Sequence, residues 1–334
     1  MAKKIGVDIG KDTIKIALVR DGKKPGLLWH HSYKIPEGMF QGELMIDHET
    51  LKASIFDVLL QHKIKSGSIS CVVNDSQSTY DSFVYDGVKK KDIKTMLELE
   101  LNQKVSGDLT DYEISHYLSS MKKGTVKGIV SSSRTELVDD LVKVFESKKY
   151  KLNVIDHPMN AFMKSLKAWG GNRMSTTSYV VLNIGVNTTQ VYVINSLELM
   201  TNRVIGIGSR DLDFQISGTL NCTMDEAREI KESGFHKAAE SGVKIQTVID
   251  STFSSMFMEV EQMIDDCKEQ GKLTDLHGVY MMGNGSKITG IETLLKDVFG
   301  VKVQYLGPTD FNLPYTRDIQ ECLIAAGACI GRRK

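Results

Sequence analysis

Three short segments carry residues whose types and spacing could bind a phosphorylated ligand. The first, Asp8-Ile9-Gly10-Lys11-Asp12-Thr13-Ile14-Lys15, puts a carboxylate, a glycine turn and a lysine within one hairpin-length stretch. Glycine lets backbone approach closely, and successive amides of such a turn can point at an anion. Lys15 would add a point charge for phosphate oxygens. Asp8 suits a hydrated Mg²⁺, which prefers oxygen ligands and keeps waters. The second segment, Asn183-Ile184-Gly185-Val186-Asn187-Thr188-Thr189-Gln190, repeats the pattern 175 residues later, counted from Asp8 to Asn183. Either segment alone also reads as an ordinary tight hairpin. Two copies suggest two related halves, each opening on the same turn and facing a cleft. The third, Met281-Met282-Gly283-Asn284-Gly285-Ser286, is a strand end and a glycine turn ahead of a helix. Such a junction can take adenosine or phosphate against its backbone, or it is a loop that simply needs glycine.

The elements that must position these segments alternate, which points to an α/β protein. Strands are expected at 4–8, 13–20, 68–74, 151–155, 178–183, 189–195, 278–282 and 302–306. Helices are expected at 51–62, 92–105, 248–268, 291–299 and 319–330. Ser133 and Glu136 resemble a capping box opening a further helix. The apolar stripe from Ile249 to Cys267 reads as core packing, being too short for a coiled coil. Trp29, Trp169, Met281 and Met282 read as packing residues, and His30-His31 lacks further metal ligands at fitting spacing.

Composition excludes several classes. Lys plus Arg and Asp plus Glu both total 42 in 334 residues, so the net charge is zero. That speaks against binding nucleic acid, or an anionic membrane, by bulk charge. The five cysteines, Cys71, Cys222, Cys267, Cys322 and Cys329, form no CxxC pair; a disulfide framework and a zinc site both lack support. Free thiols in a reducing cytosol are expected. No apolar run is long enough to span a bilayer, and the start MAKKIGVDIG runs straight into a strand pattern.

The segments 8–15, 183–190 and 283–291 (GNGSKITGI) resemble the phosphate-one, phosphate-two and adenosine motifs of the actin, DnaK-chaperone and sugar-kinase ATPase superfamily. IGSRDLDFQISGTL (207–220) with MDEAREIKESG (224–234) is similar to a stretch of FtsA and PilM proteins, and 90–105 with 129–156 looks like the extra subdomain of PilM. The chain therefore resembles, over about residues 3–332, the PilM-type type IV pilus assembly proteins of the FtsA/PilM branch. The resemblance implies a bilobed actin-like (ribonuclease H-like) α/β ATPase fold with a 1C subdomain. It assigns 1–80 and 157–176 to subdomain 1A, 81–156 to 1C, 177–208 and 273–334 to 2A, and 209–272 to 2B. The helix 319–330 would pack back as the second connection, its Ala325, Ala326, Gly327 and Ala328 permitting close approach.

The same resemblance implies ATP with Mg²⁺ in the interdomain cleft. The cofactor-binding residues it suggests are Asp8, Gly10, Lys11, Asp12, Thr13, Lys15, Gly185, Asn187, Thr188, Thr189, Gly208, Lys231, Gly283, Asn284, Gly285 and Ser286, with Asp8 reaching Mg²⁺ through water. It implies a cytoplasmic scaffold at the inner face of the membrane. That scaffold would hold the N-terminal peptide of a PilN-like bitopic membrane protein in a groove between 1A and 1C, with Tyr80, Phe83 and Tyr85 as groove candidates. Contact with a pilus motor ATPase and self-association are further expectations; nucleic acid is not, and the membrane would be reached only through partners.

Two departures bear on hydrolysis. The second phosphate motif usually opens with Asp, and here Asn183 stands there. Pro158 stands where a glutamate would polarise water, with Asp156 and His157 beside it; Ser209 replaces a second glycine. No catalytic residue is assigned, Asp8 and Asn183 being the nearest candidates, and ATP turnover is expected to be weak or absent. Alternatives are an FtsA-like filament, a related secretion-system scaffold or a sugar kinase-like phosphotransferase. An FtsA-like filament would be expected to carry an amphipathic membrane helix after the last core helix, and the end Gly331-Arg332-Arg333-Lys334 is expected to be a solvated terminus instead.

Overall fold

The computed structural model describes residues 3–42, 44–74, 76–122, 124–235, 245–313 and 318–331; the expected basic end at 332–334 lies outside them. The chain divides into two units, residues 1–168 with 322–334, and residues 169–321.

In the first unit β1 (Lys3–Ile9), β2 (Thr13–Arg20) and β3 (Gly26–Lys34) form an antiparallel meander, followed by β4 (Phe40–Gln41) and β5 (Leu44–Met45). Helix α1 (His48–Gln61), capped by the Asp47 carboxylate on the Thr50 amide, then leads to β6 (Gly67–Val72), which lies parallel to β1. The inserted part follows: β7 (Thr79–Asp86), α2 (Ile93–Leu101), β8 (Tyr112–Lys122) and β9 (Thr125–Arg134), a sheet ordered β7-β9-β8. Phe83, Ile93, Leu97, Leu101, Val126 and Val130 pack between that sheet and α2. Next come α3 (Thr135–Val144), β10 (Tyr150–Asp156) and α4 (Pro158–Trp169), and the main sheet is ordered β10-β6-β1-β2-β3. The expected capping box is absent at α3. Arg134 occupies the cap position without a side-chain bond, because Ser133 is still paired in β9.

The second unit holds α5 (Asn172–Thr176), β11 (Ser178–Ile184), β12 (Thr189–Asn195), β13 (Glu198–Ile205), α6 (Ser209–Leu220), α7 (Met224–Glu232), α8 (Ile245–Glu269), β14 (Gly278–Met282), α9 (Ile291–Phe299) and β15 (Lys302–Tyr305). Its sheet is ordered β13-β12-β11-β14-β15. Read from the other edge, this is the order and direction of the first sheet: a meander, then two parallel strands. The α8 stripe is core. Ile249, Phe253, Met256, Phe257, Val260, Met263 and Ile264 are buried against the sheet and the helices around it. Each such side chain contributes about 1.5–3 kcal/mol by burial.

Residues expected to form one helix at 319–330 form a 3₁₀ turn, Ile319–Cys322, and then α10 (Leu323–Ala328). From Cys322 onward the segment groups with the first unit rather than with the subdomain assigned to it above. The reason is steric. A Cβ at Gly6 would collide with the Ala325 carbonyl, and one at Gly327 with the Ala161 carbonyl, so α10 lies directly on β1 and α4. The Ser165 hydroxyl donates to the Leu323 carbonyl at 2.6 Å.

Candidate functional site

The β1–β2 hairpin sets Asp8 opposite Lys15 and Ile9 opposite Ile14. The Gly10 amide donates to the Thr13 carbonyl at 3.0 Å, which closes the turn. Lys15 Nζ lies 3.5 Å from Asp8 Oδ2, both side chains largely buried. Asn74 Nδ2 donates to Asp8 Oδ1 at 2.6 Å and to the Ile9 carbonyl at 3.0 Å. The Asp8 carboxylate is thus held by two donors in a low-dielectric strand end. Asp12 accepts the Ile35 amide at 2.9 Å through its carbonyl, and Lys11 Nζ stands 4.0 Å over the Phe40 ring.

The β11–β12 hairpin has the same turn. The Gly185 amide donates to the Thr188 carbonyl at 2.9 Å, and Asn183 pairs with Gln190 in register. The charges are gone: Asn183 Nδ2 donates to Gln190 Oε1 at 3.1 Å. The Thr189 hydroxyl is fully buried and donates to the Ile207 carbonyl at 2.8 Å. Gly208 abuts the turn so closely that a Cβ would strike the Val186 carbonyl, and the Ser209 and Arg210 amides donate to the Gly185 and Val186 carbonyls, both at 2.9 Å. Asn187 lies against Gly208 as well. Lys231 is bound to the Asp213 carboxylate at 2.6 Å and to the Ser209 carbonyl at 2.9 Å. Burial pushes the Asp213 carboxyl up from its ordinary value, against the pull of Lys231.

Gly283, at φ 83°, and Gly285 lie on the end of β11 in this unit. A Cβ on Gly283 would come within 2.6 Å of Asn183 Oδ1, and one on Gly285 would overlap the Ile184 side chain. Ser286 is buried and donates to the Gly283 carbonyl at 2.7 Å, while Asn284 is half-buried at the opening of the 3₁₀ turn. These glycines are therefore required by protein–protein approach, in addition to any ligand. In the second unit the expected residues 183–189, 208, 231 and 283–286 converge on one strand end; Asp8, Gly10, Thr13 and Lys15 do so in the first.

A second feature belongs to the first unit alone: a cavity of about 370 Å³. It is lined from β7 by Tyr80, from β8 by His116 and Tyr117, from β10 by Val154 and Asp156, and from α4 by Lys164. Strands β8 and β10 are edge strands of their sheets among the described residues. Asp156 is gripped by Lys164 Nζ and by Asn160 Nδ2, both at 2.6 Å. His157 Nε2 meets Ser78 Oγ at 3.0 Å, and its ring stacks on Tyr80 at 5.1 Å. Asp156 and His157 are thereby engaged in this wall. Of the three expected groove aromatics only Tyr80 lines it. Phe83 sits in the core beneath α2, and Tyr85 donates to Glu100 at 2.7 Å.

Asn74, Gln190, Asp213 and Lys164 are engaged here without a local motif that marks them. Gln190 is marked only by the repeat, standing where Lys15 stands. Asn74 had only its position at the end of a strand, and pairing of β6 with β1 gives that position meaning.

Two five-stranded sheets of one topology, each opening on a glycine-turn hairpin, define the actin-like ATPase fold. Solved structures agree. The chain is similar to the PilM in the PilM-PilN type IV pilus biogenesis complex (18% identity, 97% of each chain, TM-score 0.80). It is also similar to the ethanolamine utilization protein EutJ from Carboxydothermus hydrogenoformans (14% identity, 99% and 90% of the two chains, TM-score 0.55). A third is MreB5 of Spiroplasma citri bound to ADP (12% identity, 98% and 95%, TM-score 0.50). A search of curated proteins gave no match. The family described as type IV pilus assembly protein PilM matches residues 6–327, and the chain belongs to it.

Proposed function

We propose that this chain is a nucleotide-binding scaffold of the type IV pilus inner-membrane platform, and that it holds the cytoplasmic N-terminal peptide of a PilN-like membrane protein. The observation that carries the partner reading is the cavity in the first unit, lined by residues of the edge strands β8 and β10 and by Asn160 and Lys164 of α4. An extended peptide beside an edge strand gains main-chain hydrogen bonds, and apolar side chains such as Val154, Tyr117 and Tyr80 supply anchors. No helix of the described residues is long and apolar enough to cross a membrane, so in this reading the scaffold reaches the membrane through its partner.

Nucleotide binding is supported by the duplicated turn and by the donor set. Asp8 is a hard oxygen donor already fixed by Asn74, which fits a water-mediated Mg²⁺. Lys15 fits a phosphate oxygen as a compact point charge. ATP would be the ligand, with Gly283 and Asn284 on the adenosine side. Slow hydrolysis is supported by Asn183, which lacks a carboxylate, and by the engagement of Asp156 and His157 elsewhere. A ligand that binds only one state stabilises it by mass action without turnover.

Calorimetric titration with a synthetic PilN N-terminal peptide, together with Mg-ATP binding and turnover assays, tests this reading. Micromolar peptide binding lost on Val154→Asp, and turnover below about 1 per second, are expected. A peptide that binds Val154→Asp as well as the parent would remove the cavity from the reading.

A further inference from the structure

The first unit places Asp8, the carboxylate expected to reach Mg²⁺ through water, and the cavity at the ends of three neighbouring strands. Asp8 of β1, Val72 of β6 and Asp156 of β10 stand in one row across the sheet. Just past that row and past the end of β6, the chain runs on as Val73-Asn74, and this dipeptide is fastened on both sides. The Val73 amide donates to the Asp156 carbonyl at 3.0 Å. The Asn74 side chain donates to Asp8 Oδ1 and to the Ile9 carbonyl. Asp156 in turn lines the cavity and holds Lys164 and Asn160, which line it too. Val73 and Asp8 are both buried, only 4% exposed each, so displacement of one neighbour is passed on rather than absorbed.

We infer that Asn74 is a positioning residue that couples the two sites of the first unit: Mg-nucleotide at Asp8 and peptide in the cavity favour each other through Val73-Asn74. The inference rests on the function proposed above and names its regulation. A Mg²⁺–phosphate group at Asp8 would add a further tether to the carboxylate that Asn74 and Lys15 already hold, and through the Asn74 amide would stiffen the chain just past β6. The strand end that carries Asp156 is then ordered before peptide arrives. The peptide meets a wall whose ordering has already been supplied, which gives positive cooperativity without a large movement. Coupling of this kind is reciprocal, so peptide must tighten nucleotide by the same factor.

The test is a linkage cycle on the full chain, by calorimetry with the PilN N-terminal peptide and Mg-ADP. In the parent protein, saturating Mg-ADP should tighten peptide about fivefold or more, a typical coupling factor, and saturating peptide should tighten Mg-ADP equally. In Asn74→Ala the peptide affinity without nucleotide should stay within about twofold, while the coupling factor at saturating Mg-ADP falls to near one. Ser68→Ala, which removes the 2.6 Å bond from Asn153 at the other end of the β6–β10 pair, should keep the coupling. Amide exchange at residues 73–74 and 156–157 should slow with either ligand in the parent and not across sites in Asn74→Ala. Peptide and nucleotide that both bind but change each other less than twofold, or in the opposite sense, overturn the inference alone. Equal loss of coupling in Ser68→Ala overturns the role of Asn74. Failure of the peptide to bind in any state overturns both the inference and the partner reading.

Discussion

The two hairpins share a backbone and differ in charge. Both close with a glycine amide on a threonine carbonyl at about 3.0 Å, and both open a sheet of the same order. Across the first turn Asp8 faces Lys15; across the second Asn183 faces Gln190. The turn geometry therefore does not depend on the ion pair, since an amide pair at 3.1 Å occupies the same register. What the charges add is local field: a carboxylate and an ammonium in a strand end with little solvent, where electrostatic interactions are stronger than in water. The lesson is that a duplicated fold can keep two phosphate-type turns while leaving one of them the charged chemistry.

The largest effect is expected where the second hairpin carries packing that the first does not. Gly283→Ala would force a positive φ and press a methyl group on the end of β11. It should destabilise the second unit by about 3 kcal/mol, from strain and overpacking together, whereas Gly10→Ala, with its nearest neighbour at 3.0 Å, should cost under about 1 kcal/mol. Urea unfolding followed by probes in each unit measures both.

Next in size is the charge asymmetry itself. Asp8→Asn should weaken Mg-nucleotide about 10- to 100-fold, the range for loss of a charged hydrogen-bonding partner, while Asn183→Ala should change it under about threefold. Equal losses in a binding titration would break the comparison.

A smaller effect separates Thr189 from its counterpart Ile14. Thr189→Val leaves the Ile207 carbonyl without its donor and should cost about 1 kcal/mol of stability, read by thermal or urea unfolding. Smallest is Asn183→Asp, which restores a carboxylate to the second turn. On the proposed reading ATP turnover should rise by about threefold or more (roughly 0.7 kcal/mol in the barrier), with binding intact; no rise would remove Asn183 from the account of hydrolysis.

Much of this was legible in the sequence because it is local. The seven-residue step from Asp8 to Lys15 and its echo at Asn183 and Gln190 fixed the two hairpins, and glycine spacing marked 283–285. Alternation fixed β12, β14 and α9 to the residue. The cap expected from Ser133 at α3 does not form because Ser133 is claimed by β9, a non-local pairing that outcompetes a local cap.

The sequence by itself determined the repeat, the α/β pattern and the charge difference between the two turns, since those follow from chain-local spacing and residue chemistry. Only the tertiary structure decided that Asn74 holds Asp8, that Lys231 belongs to Asp213, that Phe83 and Tyr85 face α2 rather than the cavity, and that residues 322–331 return to the first unit. Each of these depends on strands and helices brought together from distant positions, where the partner of a side chain is set by sheet order and close packing, not by its neighbours along the chain.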